Sequence, residues 1–161
     1  MKQITSADLK ALAAQAQQSP RLRANRNLHV ELSDPIQRLA IAMEPGTYVR
    51  AQRHPHTWEL LSALSGRFVV LNFDEEGRVT QRTVLGEDCK VLEIPAGCWH
   101  AVLSLDVGGV IFEVKHGPYT AVAEEDFASW SSAEGSPSAS TLMQWYATAQ
   151  MGQRFSGVQS A

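Results

Sequence analysis

The chain has 161 residues, 44% of them hydrophobic and 19% charged, with a formal net charge of -3. That length suits a single domain with its own core, and the slightly negative balance excludes the basic footprint of a nucleic-acid-binding protein. No apolar run reaches the roughly 18 residues of a membrane-spanning helix, and the polar start MKQITSADLKALAAQAQQ lacks the apolar stretch of a secretory signal, so no membrane partner and a cytoplasmic location are expected.

In chain order, residues 5–18 read as a helix. Thr5, Ser6 and Asp8 offer capping oxygens, and Leu9, Leu12, Ala13 and Ala16 form an apolar stripe at helical spacing. Ser19-Pro20 ends it, and residues 21–27 read as a basic, polar connector. From Leu28 the apolar period becomes two. Strands are expected at 28–32, 37–43, 47–52, 58–64, 67–73, 78–85, 89–94, 98–105 and 110–116, about nine in all, with Gly, Pro or Asp turn signals between them. This is the pattern of an all-β sandwich or barrel. After Gly117-Pro118 the pattern changes: a short helical turn near Glu124–Asp126, a polar loop over 132–140, and a helix over 141–151 with Leu142, Trp145, Tyr146 and Ala149 on one side. The tail after Gly152 is expected to fray. Cys89 and Cys98 are too few for a disulfide framework and read as thiols.

Chemistry-bearing residues concentrate in GTYVRAQRHPHTWELLSALSG (46–66). On a regular strand Gln52, His54 and His56 point one way, whereas Glu59 has the opposite parity and joins His54 only if the chain bends at Pro55. His100 stands far off in sequence, just beyond the turn signal Pro95-Ala96-Gly97. Two imidazoles and a carboxylate form the ligand set of divalent transition-metal sites with open positions. A lone His-x-His pair is more simply a polar strand end.

The spacing resembles the two-part signature of the cupin superfamily. Gly46, five residues, position 52, one residue, His54, four residues, Glu59, six residues and Gly66 follow its first part, and Pro95, Gly97 and His100 match the core of its second. The family's first histidine is Gln52 here, its second-part glycine is Cys89, and its closing asparagine is Ser104. A longer resemblance, through RANRNLH (23–29), Asp34–Arg38, PGTYV (45–49), RHPHTWE (53–59), FDEEG (73–77), IPAGCWH (94–100) and EVKHGPY (113–119), is to WbuC-type cupin-fold metalloproteins, some of which are encoded among bacterial surface-polysaccharide genes. The resemblance implies a mainly β, cupin-type jelly-roll barrel, with an N-terminal helix and a short helical C-terminal extension. One domain over 1–161 is expected: helix and connector at 1–27, barrel at 28–116, extension at 117–161. It implies one divalent transition metal (Fe, Mn, Zn, Ni or Co) held by His54, Glu59 and His100. Gln52 stands as a weak fourth ligand or a group behind the ligands, and His56 as an alternative ligand. A homodimer is implied, contacting through the N-terminal segment or an edge strand.

Other residues have two readings. Arg38, Arg50 and Arg53 grip an anionic substrate or sit at a barrel rim; Arg50 and Tyr48 share the inward parity of Gln52 and His54, which makes them the substrate-binding candidates. Glu113 and Lys115 share a face, for which an ion pair is the simplest account. Cys98 lines the cavity or packs as a small hydrophobe, Trp58 and Trp99 pack, His29 approaches the site, His116 lies in a turn, and Trp130 and Trp145 dock the C-terminal extension. The functional expectation is a metal-binding cupin acting on a small polar molecule, as an isomerase or an oxygenase. The alternative is a metal-dependent or metal-free small-molecule binding or sensing module.

Overall fold

The computed structural model describes residues 1–156. It opens with α1 (Ser6–Gln18), fixed at its start by a reciprocal cap: the Thr5 hydroxyl accepts from the Asp8 amide, and the Asp8 carboxylate accepts from the Thr5 amide. Eight strands follow among the described residues: β1 (Arg23–Asn27), β2 (Ile36–Met43), β3 (Glu59–Ser65), β4 (Phe68–Phe73), β5 (Val79–Leu85), β6 (Val91–Ile94), β7 (Trp99–Ser104) and β8 (Gly109–His116). A 3-10 turn at Glu124–Asp126 and α2 (Ala139–Thr148) complete the order.

The strands form two antiparallel sheets, β1-β2-β8-β3-β6 and β5-β4-β7. Their facing sides supply one core: Met43, Leu61, Ile94 and Ile111 from the larger sheet meet Phe68, Val70 and Leu85 from the smaller. The outer faces are covered too. Leu12 and Ala16 of α1 pack on Ala40, Ala42 and Val110, while Leu142 and Tyr146 of α2 pack on Val69, Leu71, Phe73 and Ala101. Strand β4 is therefore buried on both faces, and for this reason Phe68-Val-Val-Leu71 is a continuous apolar run rather than an alternating one. The expected mainly β jelly roll of cupin type, with its helix at each end, is the fold observed.

Phe68 is fully buried between the sheets. Phe68→Ala is expected to cost about 3–5 kcal/mol of stability, because the rigid strands around it cannot collapse into the space. Urea denaturation measures this loss.

Four expected elements differ. The connector 21–27 contains β1, an edge strand paired antiparallel to β2. Its outward residues are exposed, so hydrogen bonding rather than apolar alternation makes it a strand. Residues 28–32 alternate but form no strand. The Asp34 side chain takes the Val30 amide and Glu31 O takes the Asp34 amide, turning the chain and leaving Val30 and Leu32 exposed. Residues 47–52 are irregular except for a bridge at Gln52; with 28–32 and 47–52 lost and β1 gained, the strands among the described residues number eight, not nine. The helix expected at 141–151 is shifted to Ala139–Thr148. Beyond Gly152 the chain does not fray at once: the Gln153 carbonyl accepts from the Val79 amide, and Arg154 bridges Arg78. The rest of that expectation, at 157–161, lies outside the described residues. Cys89 and Cys98 are free thiols, and among the described residues no helix is long and apolar enough to cross a membrane.

Candidate metal centre

The site is assembled from both sheets. Glu59 opens β3 and faces Ile94 of β6 and Lys115 of β8 in register. His100 lies on β7 of the smaller sheet, opposite Asn72. Between them runs the irregular stretch 47–58. Gln52 and His100 exchange two backbone hydrogen bonds, 2.9 and 2.8 Å, so their side chains share a face. The Gly97 amide donates to His54 O at 2.8 Å, tying this stretch to the Pro95–Gly97 turn. Gly97 has φ +77°, a left-handed conformation that a side chain disfavours, which explains the glycine in the turn that aims His100. A second turn, at Pro55-His56, reverses the chain so that Glu59 returns to His54 despite its opposite parity.

His54 Nε2 is 2.9 Å from Glu59 Oε1, and His100 Nε2 is 3.0 Å from Glu59 Oε2. The two imidazole rings stand 5.7 Å apart. Glu59 and His100 are buried, and His54 is only slightly exposed. His100 Nδ1 donates to Cys98 O at 2.9 Å, which fixes the tautomer that turns the Nε2 lone pair toward Glu59. A lone pair facing a carboxylate needs a cation between them, either a proton or a metal. Ligand atoms bonded to a transition metal at about 2.1 Å and at right angles stand about 3 Å apart, which the two Nε2–Oε separations match. Among the described residues these three alone bring metal-capable atoms together, all within 4.8 Å of one another. The donor set fits a divalent transition metal.

Two neighbours modify the set. The Gln52 amide nitrogen stands 3.4 Å from His54 Nε2, where the signature has a further imidazole. Lys115 Nζ lies 2.9 Å from Glu59 Oε1 and 2.9 Å from Glu113 Oε1. The expected Glu113–Lys115 pair is present, but it reaches into the site, which sequence reading missed. The register of β3 on β8 was the missing information.

Burial pushes the Glu59 carboxyl upward, but hydrogen bonds from His100 and His54 and the charges of His100 and Lys115 outweigh it and hold Glu59 well below the usual carboxylate range. Burial lowers His100, but its hydrogen bond and attraction to Glu59 raise it above the usual 6.5. Without metal, the Glu59 contribution is present above about 4.5 and lost as pH falls through its depressed value. The His100 contribution is present below about 6.5 and lost as pH rises through its elevated value. The pair therefore stabilises the metal-free protein most in mildly acidic solution. In chelator, the unfolding temperature is expected to fall as the pH rises from about 6.5 to the elevated His100 value, and this loss to level off above it. With saturating metal that fall disappears, because the ion replaces the proton.

The remaining candidates are distributed as follows. His56 is exposed at the turn and outside the three-residue cluster, although it lines the adjoining cavity. Tyr48 and Arg50 do not face the cavity. The Tyr48 hydroxyl donates to Ser132 O, and Arg50 donates to Ser131 O, pairs with Glu124 and lies over Phe127. The inward parity assumed a regular strand, and 47–51 is irregular. His29 is buried away from the site, its Nδ1 accepting from the Arg38 amide at 2.9 Å. Arg38 pairs with Asp34, and Arg53 with Asp126 across the face of Trp99. Cys98 packs in the core against Asn72, and Trp58 lies edge-on to His116. Trp130 and Trp145 pack on Phe73, joining the C-terminal extension to the smaller sheet.

A cavity of about 460 Å³ opens beside the cluster, with His54, His56, Lys115, Arg53 and Tyr119 in its wall.

Solved structures of similar fold include BH2720 from Bacillus halodurans (18% identity, TM-score 0.53, covering 76% of this chain and 86% of that one). TT1209 from Thermus thermophilus is also similar (22% identity, TM-score 0.52, covering 68% and 93%). Oxalate oxidase in complex with glycolate is similar over 65% of this chain at 13% identity and a TM-score of 0.51, and the match spans 56% of the oxidase chain. These likenesses support the cupin fold. No curated protein matches the chain. A family model, Domain of unknown function (DUF6016), matches residues 4–85, which include Gln52, His54 and Glu59 but stop short of His100. The chain belongs to this DUF6016 family and has a cupin-type fold with a candidate metal centre.

Proposed function

We propose that the protein is a metal-dependent cupin, related to the WbuC type, that binds and transforms a small polar molecule in the cavity beside His54, Glu59 and His100. One observation carries the reading: both histidine Nε2 atoms converge on the Glu59 carboxylate at hydrogen-bond distance, and one of them, His54, stands in the wall of the adjoining cavity. A divalent ion held by these three residues would act as a Lewis acid on a substrate oxygen. His54, in the cavity wall, would hold the ion at the edge of the space a substrate can reach, and His100, buried and tied to Cys98 O, would be the rigidly oriented ligand. Gln52, a neutral amide in place of an imidazole, would be a weaker ligand and would lower the affinity for the ion.

The small polar substrate, an activity in surface-polysaccharide metabolism, a cytoplasmic location, and one domain spanning 1–161 are parts of the same proposal. So is a homodimer, for which β1 supplies an edge strand unpaired on one side among the described residues. Thermal-shift screening of sugars, sugar acids and short organic acids, with Mn(II) and with chelator, tests the reading. It is supported by ligands that stabilise only the metal-loaded protein, and it fails if stabilisation is equal in chelator.

A further inference from the structure

The Lys115 ammonium is bound to a prospective metal ligand. Its Nζ shares Glu59 Oε1 with His54 Nε2, and it also holds Glu113 Oε1, each at 2.9 Å. It lines the cavity with its side chain 18% exposed. An ammonium and a divalent ion cannot both sit on that one oxygen without strong repulsion. Arg53, the other cation in the cavity wall, is already committed to Asp126 and the face of Trp99.

We propose that Lys115 is the anion-binding group of this cavity, and that its ligand is a small carboxylate. Metal uptake at His54, Glu59 and His100 frees the ammonium from Glu59. Glu113 then keeps its hold on the ammonium, which itself lines the cavity and has donors left over for an oxyanion. With a divalent ion in place, the ion and Lys115 outweigh Glu59 and Glu113 by one positive charge at the inner end of the cavity; Arg53 and Asp126 cancel as a pair, and Glu125 lies exposed to solvent in the outer wall, so a monoanionic carboxylate neutralises the inner end. The inference rests on the metal-dependent reading above and adds the class of ligand and the residue that selects it.

The test uses full-length protein loaded with Mn(II), with glycolate as the carboxylate, glycolamide as its uncharged analogue, and inorganic phosphate. Binding is measured by calorimetry in wild type, Lys115→Gln and Lys115→Arg. Glutamine still donates to Glu113, so the buried carboxylate keeps a partner. Wild type is expected to bind glycolate in preference to glycolamide and phosphate. Lys115→Gln is expected to bind glycolate about tenfold or more weakly, the effect of losing one charged hydrogen bond, and Lys115→Arg to restore part of it. Lys115→Gln is also expected to bind Mn(II) more tightly than wild type, an outcome that damage to the fold would not produce. Equal glycolate affinity in wild type and Lys115→Gln overturns the inference alone, as does a preference for glycolamide or phosphate. A wild-type protein that takes up no metal overturns both this inference and the reading beneath it.

Discussion

His100→Ala is expected to lose metal affinity by well over the roughly 10- to 100-fold that follows removal of a partner behind a ligand, because here the ligand itself is removed. His100 Nε2 is 3.0 Å from Glu59 Oε2, and its other nitrogen is spent on Cys98 O. Among the described residues no other imidazole belongs to the cluster except His54. His54→Ala should have the same consequence. His56→Ala should leave affinity near wild type, since His56 is exposed and outside the cluster. Competition against a chromophoric chelator measures all three. Strong retention of metal by His100→Ala, or a loss in His56→Ala as large as in His54→Ala, would assign the ligands differently.

Glu59→Ala should be damaging in two separate ways. It removes the only carboxylate of the cluster, so metal binding goes. It also strips Lys115 and both histidines of a shared buried partner, even where no metal is present. Removing one member of a buried ion pair costs about 3–5 kcal/mol, because the remaining charge is left without compensation. Glu59 has a side chain only 5% exposed and Lys115 18%, so screening by water offsets little of this. Urea denaturation in chelator should therefore show a much lower midpoint for Glu59→Ala than for wild type. An unchanged midpoint would mean that Lys115 relaxes fully onto Glu113 and that Glu59 matters to the metal alone.

The parts of this site that could be read from the chain are those set by spacing and turn chemistry. Gly46, His54, Glu59, Gly66, Pro95, Gly97 and His100 stand at intervals whose physical basis is visible in the fold. Gly46, Gly66 and Gly97 adopt positive φ, and Pro55-His56 makes the turn that reverses the parity of Glu59. The jelly roll was legible because most strands alternate, or, like β4, are apolar throughout. What escaped depends on long-range register. Lys115 enters the site only because β3 and β8 pair Glu59 with Lys115. Tyr48 and Arg50 turn toward Ser132, Ser131 and Glu124 of the C-terminal extension, which covers that stretch of chain. Strand β1 was hidden because an exposed edge strand has no need of an apolar face, and 28–32 imitated one because Val30 and Leu32 alternate in a turn.

The metal content of the wild-type protein is the most direct measure of whether this site holds an ion. When metal-free protein is titrated to saturation with Mn(II) and unbound ion is separated from it, analysis of the protein-bound fraction is expected to find about one ion per chain, one for the single cluster of two histidines and a glutamate among the described residues. Protein that retains none, with Lys115 left as the cation on Glu59, would contradict it.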